Sequence, residues 1–288
     1  MIMKKILFSI LSVAILLAAC DKVEAPYIEQ KTSGGDEEQC DTGFVKKVLV
    51  EDYTAHYCTN CPRAATVLED LKENVFKCQV VGLAVHVGLL AQPGPAPYDL
   101  DLRTQEGTEL DNFFGLSNSG LPKGMVNRTQ YNGDVKVGDG DWPSAVNEIL
   151  QNHPEPEIGI KFTAGIDTNN HKINISTDTY ILKNLDANLK LCVVLFEDNI
   201  KGAQKDQNAE GGEVTDYTFM HVYRMAINNT WGDDLASGSL QAGEKYSKSY
   251  TEVSYSDTFV SENLGLVIYV YDDNTKEIIQ VEDYKFFE

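Results

Sequence analysis

The sequence predicts a two-part protein: an α/β half built around a Cys-x-x-Cys, followed by an antiparallel β-sandwich. Three observations predict it. Cys58-Thr59-Asn60-Cys61 stands between an apolar β-rich run and a helical recurrence of apolar residues, with a second β-rich run beyond. Prolines cluster at His153-Pro154-Glu155-Pro156, a composition that marks a domain boundary. After that point the apolar runs are short and strand-like, and no convincing helical period recurs.

The first residues carry an export signal. Lys4 and Lys5 precede an uncharged run over residues 6–19, which closes on Leu17-Ala18-Ala19-Cys20. A basic start, an apolar stretch and small residues at its end make a signal peptide over residues 1–19. The run is shorter than the roughly 20 residues a spanning helix needs. Leu-Ala-Ala-Cys resembles the lipobox of bacterial lipoproteins, which implies cleavage before Cys20 and lipid on that cysteine. Residues 20–41 are polar, with Ser33-Gly34-Gly35-Asp36-Glu37-Glu38 at their centre, and read as a flexible tether.

Residues 42–152 form the α/β half. Val45, Val48, Leu49 and Val50 make residues 44–53 a buried strand. His56-Tyr57-Cys58-Thr59-Asn60-Cys61-Pro62 is a loop. Ala64, Ala65, Val67, Leu68 and Leu71 then give helical spacing over residues 62–74, and residues 79–87 form a second strand. This order is a βαβ unit. Residues 93–97 are a proline-rich loop, and residues 102–114 a helix. Gly120-Leu121-Pro122-Lys123 is a turn, and residues 125–128 begin a strand. Residues 133–140 read as a hairpin region, and residues 142–150 as a closing helix with Pro143 in its first turn. Residues 153–288 form the sandwich, with strands over residues 158–163, 172–181, 189–197, 264–271 and 277–283. Asp272-Asp273-Asn274 reads as a hairpin turn.

Charge excludes one class of partner. The formal net charge is −20, and loss of Lys4 and Lys5 makes it two units more negative. Such a surface repels phosphate backbones, so nucleic acid is not an expected partner. No basic patch stands ready to grip anionic lipid heads, so the membrane is reached through lipid on Cys20. No Ser-His-Asp arrangement, phosphate loop, cofactor motif or complete metal site is evident.

Six cysteines need roles. Cys58 and Cys61 open a helix that follows a strand. Unpaired N–H groups and the positive end of the helix dipole stabilise a thiolate there, which makes Cys58 a nucleophile and Cys61 its resolver. Three readings fit the pair: a redox-active dithiol, a structural disulfide of an exported chain, or a zinc half-site. His56 reads as a solvated loop histidine, or else as a further ligand or a neighbour that lowers a thiol pKa. Cys40 and Cys78 each precede a strand, and a disulfide between them is feasible if those strands are parallel neighbours. Cys192, in Leu191-Cys192-Val193-Val194-Leu195, reads as a buried free thiol. His221, Tyr223 and Arg224 read as packing between sheets, or else as a binding spot.

The first half resembles the thioredoxin superfamily. The dithiol and the βαβ unit agree, and Gly120-Leu121-Pro122 resembles the loop whose cis proline packs against the dithiol, which gives Pro122 a place in the site. Tyr57 stands where that superfamily has Trp, and the central pair is Thr59-Asn60. A wider resemblance rests on Val48-Leu49-Val50-Glu51-Asp52-Tyr53-Thr54 with Cys58-Thr59-Asn60-Cys61-Pro62. It extends to Pro122-Lys123-Gly124-Met125-Val126-Asn127-Arg128, His221-Val222-Tyr223-Arg224 and Lys276-Glu277-Ile278-Ile279-Gln280. These are similar to motifs of the Bacteroidetes family named for a twenty-eight-kilodalton outer membrane protein. The resemblance implies an outer-membrane lipoprotein with an α/β thioredoxin-like N-terminal domain followed by an all-β immunoglobulin-like sandwich. It leaves two functions: thiol–disulfide exchange on exported proteins, or a non-enzymatic surface binding or adhesion module with a structural Cys pair.

Overall fold

The computed structural model describes residues 43–287; Cys20, Cys40 and the leader and tether segments lie outside the described residues. β1 (Val48–Thr54) and β2 (Val80–His86) are apolar runs buried along their whole length, as strands covered on both faces should be. They pair in parallel with Val48 opposite Val80 and Thr54 opposite His86. Between them α1 (Cys61–Asp70) carries Pro62 in its first turn and continues into a single π-turn, Leu71–Val75. β3 (Lys123–Val126) runs antiparallel to β1 on its other side. The sequence places the first strand four residues too early, at Phe44.

Helix α2 (Gln105–Phe114) is bounded by its own chemistry. Thr104 Oγ1 accepts from Gly107 N at 2.9 Å, and Gly115 closes the helix at φ +73°, a conformation natural to glycine. α3 (Trp142–Asn152) also has proline in its first turn. The region over residues 133–140, expected as a hairpin, forms two isolated bridges instead, Tyr131 with Asp134 and Gly124 with Val137. The second bridge ties that segment to β3.

Beyond Asn152 the described residues hold ten strands and no helix longer than one 3-10 turn. β4 (Ile158–Asp167), β5 (Lys172–Ile181) and β11 (Lys245–Ser254) form a three-stranded antiparallel sheet. β6 (Leu185–Glu197), β9 (Val222–Ala226), β12 (Leu264–Asp272) and β13 (Ile278–Lys285) join a larger sheet, and β10 (Asp233–Leu240) pairs with the first part of β6. The turn at residues 272–274 links β12 to β13 in a hairpin, as the sequence indicates. β7 (Ile200–Lys205) and β8 (Glu213–Phe219) pair only with each other. The sequence reading left residues 200–255 without strands, because their apolar residues are sparse and their exposed faces polar.

One sheet spans both halves, in the order β13-β12-β6-β9-β2-β1-β3. The short strand β9 is the hinge of this arrangement: Ala84 N donates to His221 O at 2.8 Å on one side, and β9 pairs antiparallel with β6 on the other. The sheet curls until its ends meet. Ile278 N donates to Asn127 O at 2.8 Å, and the Gln280 side chain bridges Lys47 N and Val45 O. Leu49, Tyr53, Leu83, Met125, Val194 and Tyr269 pack in the enclosed interior.

Period-two alternation explains how each strand serves two cores. In β6, Leu189, Leu191, Val193 and Leu195 pack outward against β4 and β5, while Cys192, Val194 and Phe196 point inward. In β1, Val48 and Val50 face Ala64, Leu68 and Trp142 of α1 and α3, while Leu49 and Tyr53 face the interior. Cys192 is a buried free thiol, as expected, and burial pushes its pKa up to about 11.

Candidate functional site

The parallel strands end where the chain must turn, and the cysteines sit at that turn. Val87 N donates to Thr54 O at 3.1 Å and closes the β1–β2 ladder. The following loop is held by Cys58 N to Ala55 O at 3.1 Å and Cys61 N to Cys58 O at 3.3 Å. α1 then starts at Cys61 with no acidic residue in its first turn and no side chain capping it, so its unpaired N–H groups lie at the cysteine pair. Cys58 and Cys61 are joined as a disulfide with Cα atoms 5.4 Å apart. Ala55, Ala91 and Leu121 pack around it, so the loop preceding Pro122 does reach the pair. The Leu121–Pro122 bond is cis, and so is Ala96–Pro97, which the sequence reading did not single out.

Two segments from elsewhere close over the disulfide. One is the loop over residues 88–98. Leu90 O accepts from Tyr57 N at 3.1 Å, the Tyr57 and Tyr98 rings stack at 4.6 Å, and Gly94 lies so close to Tyr57 that a Cβ there would sit 2.2 Å from the hydroxyl. The other is the β7–β8 hairpin. Gln204 Nε2 donates to Cys58 O at 3.0 Å, to Ala55 O at 3.3 Å and to its neighbour Lys205 O at 2.9 Å. Lys205 N donates to His56 O at 2.8 Å, and Gln207 N to Thr59 O at 3.0 Å. Tyr98 OH and Lys205 Nζ both bind Glu213, at 2.7 and 2.8 Å, and so fasten the two segments together. Cys58 is left only 4% exposed and Cys61 2%.

His56 is not the solvated histidine expected. It is buried, its Nε2 lies 3.1 Å from Gln92 O, and burial lowers its pKa. The loop that covers the disulfide covers it too, which local sequence does not reveal.

Two buried titratable groups flank the site, and sequence reasoning missed both. Asp52 shares the face of β1 that carries Val48 and Val50, the face covered by α1. Its Oδ1 has no hydrogen-bond partner among the described residues, and burial, with a smaller contribution from Asp139, raises its pKa to about 8. The signal was legible: a carboxylate inside an apolar strand, six residues before Cys58. His86 ends β2, packs edge-on to Phe219 of β8 at 5.4 Å, and has no hydrogen-bond partner at either ring nitrogen among the described residues. Burial pushes its pKa down to about 3, so it is neutral at physiological pH.

The other motifs fall on the seam between the halves. Arg128, in a left-handed turn at φ +54°, reaches into the curled interior and binds both oxygens of Glu51 at 2.8 and 2.7 Å. His221 lies between Asp198 and Glu69, with Nδ1 3.0 Å and Nε2 3.2 Å from their carboxylates. Burial alone would lower the His221 pKa, but bonds to those two carboxylates outweigh it and raise it. Lys72 Nζ approaches the same Nε2, and Lys285 closes on Asp198 at 2.7 Å. Arg224 pairs with Glu197 at 3.2 Å and lies 4.1 Å from the centre of the Phe259 ring. Tyr223 is buried in the interior core. Of these three, His221 joins the two halves through Glu69 and Asp198, while Arg224 packs within the second half.

Cys78 is disulfide-bonded, two residues ahead of Val80, where β2 begins alongside β1. Among the described residues no group of three or more His, Cys, Asp and Glu could hold a metal ion, and no helix is long and apolar enough to cross a membrane.

Comparison with known proteins gives three results. The family model described as outer membrane protein Omp28 matches residues 108–287. The structure of HBP35 of Porphyromonas gingivalis is similar with a TM-score of 0.63 at 18% identity, over 84% of this chain and 76% of that one. A domain of the outer membrane lipoprotein Omp28 from Porphyromonas gingivalis matches at 23% identity and a TM-score of 0.29, over 46% of this chain and 91% of that one. No curated protein matches the chain.

Proposed function

This chain belongs to the Omp28 family of outer membrane proteins, and from that premise we propose that its Cys58–Cys61 pair exchanges thiols and disulfides on exported proteins at the envelope. The protein is a lipid-anchored component of the outer membrane. Cys20 is the residue that carries the lipid in this reading, after cleavage of residues 1–19. Cys20→Ser is expected to move the protein from the detergent phase to the aqueous phase on phase separation; retention in the detergent phase would sink that assignment. The β1–α1–β2 unit with its cis Leu121–Pro122 bond supports a thioredoxin-like first half, and the packing of β4, β5 and β11 on β6 and β12 supports an immunoglobulin-like second half. Cys40 is the partner proposed for Cys78.

The observation that carries the exchange reading is Asp52. A buried carboxyl whose Oδ1 finds no partner among the described residues costs stability, and a purely structural disulfide has no use for one. A buried carboxyl titrating near neutrality, on the strand that leads into the cysteine loop, is the kind of proton acceptor that exchange requires. In the oxidised state, a substrate thiolate attacks Cys58 Sγ. The Cys58–Cys61 bond breaks, its electron pair passes to Cys61 Sγ, and Asp52 supplies the proton. A second substrate thiolate then attacks the substrate sulfur of the mixed disulfide and releases Cys58 as thiolate, held by the N-terminus of α1. The substrate loses two electrons and the protein gains them; the reverse sequence reduces a substrate disulfide, with Asp52 taking the Cys61 proton.

A second reading has an observation of its own: the bond is buried beneath two covering segments, as a structural staple would be. In that case the sandwich makes the contacts of a binding or adhesion module. Cys61→Ser separates the two. Exchange predicts mixed disulfides with envelope proteins through Cys58. No trapped partner, together with a Cys58–Cys61 potential well below about −300 mV, marks a bond that resists reduction and ends the exchange reading.

A further inference from the structure

We propose that the β7–β8 hairpin is a strap that holds the Cys58–Cys61 site closed, with Gln204 as its latch, and that a substrate gains access only when the strap lifts. The inference rests on the exchange reading and adds its regulation.

Three features set this hairpin apart. β7 and β8 pair only with each other, so nothing in the main sheet has to break for them to move. What holds them over the site is a short row of bonds to the cysteine loop: Gln204 Nε2 to Ala55 O and Cys58 O, Lys205 N to His56 O, and Gln207 N to Thr59 O. These occupy the carbonyls on both sides of the nucleophile, the groups that would otherwise be free to meet an incoming chain. Gln204 is itself 2% exposed, so its amide is committed to those carbonyls and cannot be exchanged for water without opening.

The same hairpin shuts the proton path. Tyr217 and Phe219 of β8 form a small apolar cluster with Leu102 and Val222, and Phe219 lies against the ring of His86. Tyr217 is near enough to Asp52 for that carboxyl to contribute to raising the tyrosine pKa. Through Glu213, which binds both Tyr98 and Lys205, lifting the strap also loosens the 88–98 loop whose Ala91 packs on the cysteines, and it takes Tyr217 away from Asp52. The bonds over the cysteine loop are few and polar and the apolar contacts of β8 form one small cluster, which is the pattern of a segment that opens locally rather than with the whole fold.

The test uses the oxidised mature protein and a small phosphine reductant, with alkylation of Cys58 and Cys61 as the readout. Gln204→Met keeps the volume and removes both donors; Gln207→Pro, at an exposed turn, removes the third amide. Each is expected to speed reduction of the pair on the order of tenfold, the change that losing one or two hydrogen bonds makes to an opening equilibrium. Amide exchange on the unaltered protein should also be faster at Lys205 and Gln207 than in the β4–β5 ladder. Unchanged reduction rates in both folded variants overturn the proposal. So would exchange at Lys205 and Gln207 as slow as in β4–β5. Because the reductant is not an exported protein, faster reduction in both variants, with no trapped partner and a potential well below about −300 mV, would keep the strap and discard the exchange reading.

Discussion

Arg128→Met is expected to leave the protein unfolded or destabilised by about 3–5 kcal/mol, the usual consequence of stranding one member of a buried ion pair. The Arg128 and Glu51 side chains are each 1% exposed inside the curled sheet. The guanidinium makes a fork to both Glu51 oxygens, donates to Tyr269 OH at 3.1 Å, and lies 5.3 Å from the centres of the Phe114 and Tyr269 rings. Met fills much of the space but leaves the Glu51 carboxylate without a counter-charge. Glu51→Leu combined with Arg128→Met is expected to recover most of the loss, because the paired removal strands no charge. Urea unfolding of the three variants decides it. An Arg128→Met midpoint within about 1 kcal/mol of the parent, or a double variant no better than the single, would show that the pair does not hold the interior together.

Asp52→Asn is expected to do the opposite to stability while slowing exchange. In the unfolded chain the carboxyl titrates near its ordinary 3.8; in the fold it titrates near 8. Below about pH 4 both states are protonated and the group contributes nothing. Between about 4 and 8 the unfolded chain has released a proton that the fold retains, so stability falls as pH rises, by up to about 1.4 kcal/mol per unit. Above about 8 the full penalty of several kcal/mol stands. Asn removes the titration. The gain in unfolding free energy over the parent should therefore grow from pH 5 to pH 8 and then level off. A gain independent of pH over that range would mean that Asp52 does not carry a raised pKa. Exchange by the variant should lose its dependence on a group titrating near 8, since Asp52 is the proton donor and acceptor in the proposed step.

The strand-rich second half, the helices of the first and the Cys-x-x-Cys at a helix start were legible because each is written in local pattern. Lys172 to Ile181 was placed correctly because alternation over ten residues is unambiguous. β7 through β11 were missed for the complementary reason: in Lys245–Ser254 the exposed positions are Ser, Lys, Thr and Glu, and the strand is defined by its partner β5.

The motifs were visible long before their purpose. Asn127-Arg128 reads as part of a strand, yet both residues turn left-handed just beyond it, Asn127 O accepts from Ile278 N at the far end of the sheet, and Arg128 neutralises Glu51 within it. His221-Val222-Tyr223-Arg224 reads as packing between sheets or as a binding spot, yet Val222 to Arg224 belong to β9, the strand through which the two halves share one sheet.

By itself, the sequence determined the strongly negative net charge, the βαβ unit and the position of the Cys-x-x-Cys at a helix start. All of these depend on residues adjacent in the chain or one turn apart. Only the tertiary structure decided that the sheet runs through both halves and curls closed, that His56 is buried, and that the disulfide lies beneath residues 204–207. Those facts come from contacts between segments tens to more than a hundred residues apart, as from His56 to Gln92 and from Gln204 to Cys58, and a local pattern does not encode which distant carbonyl a buried donor will find.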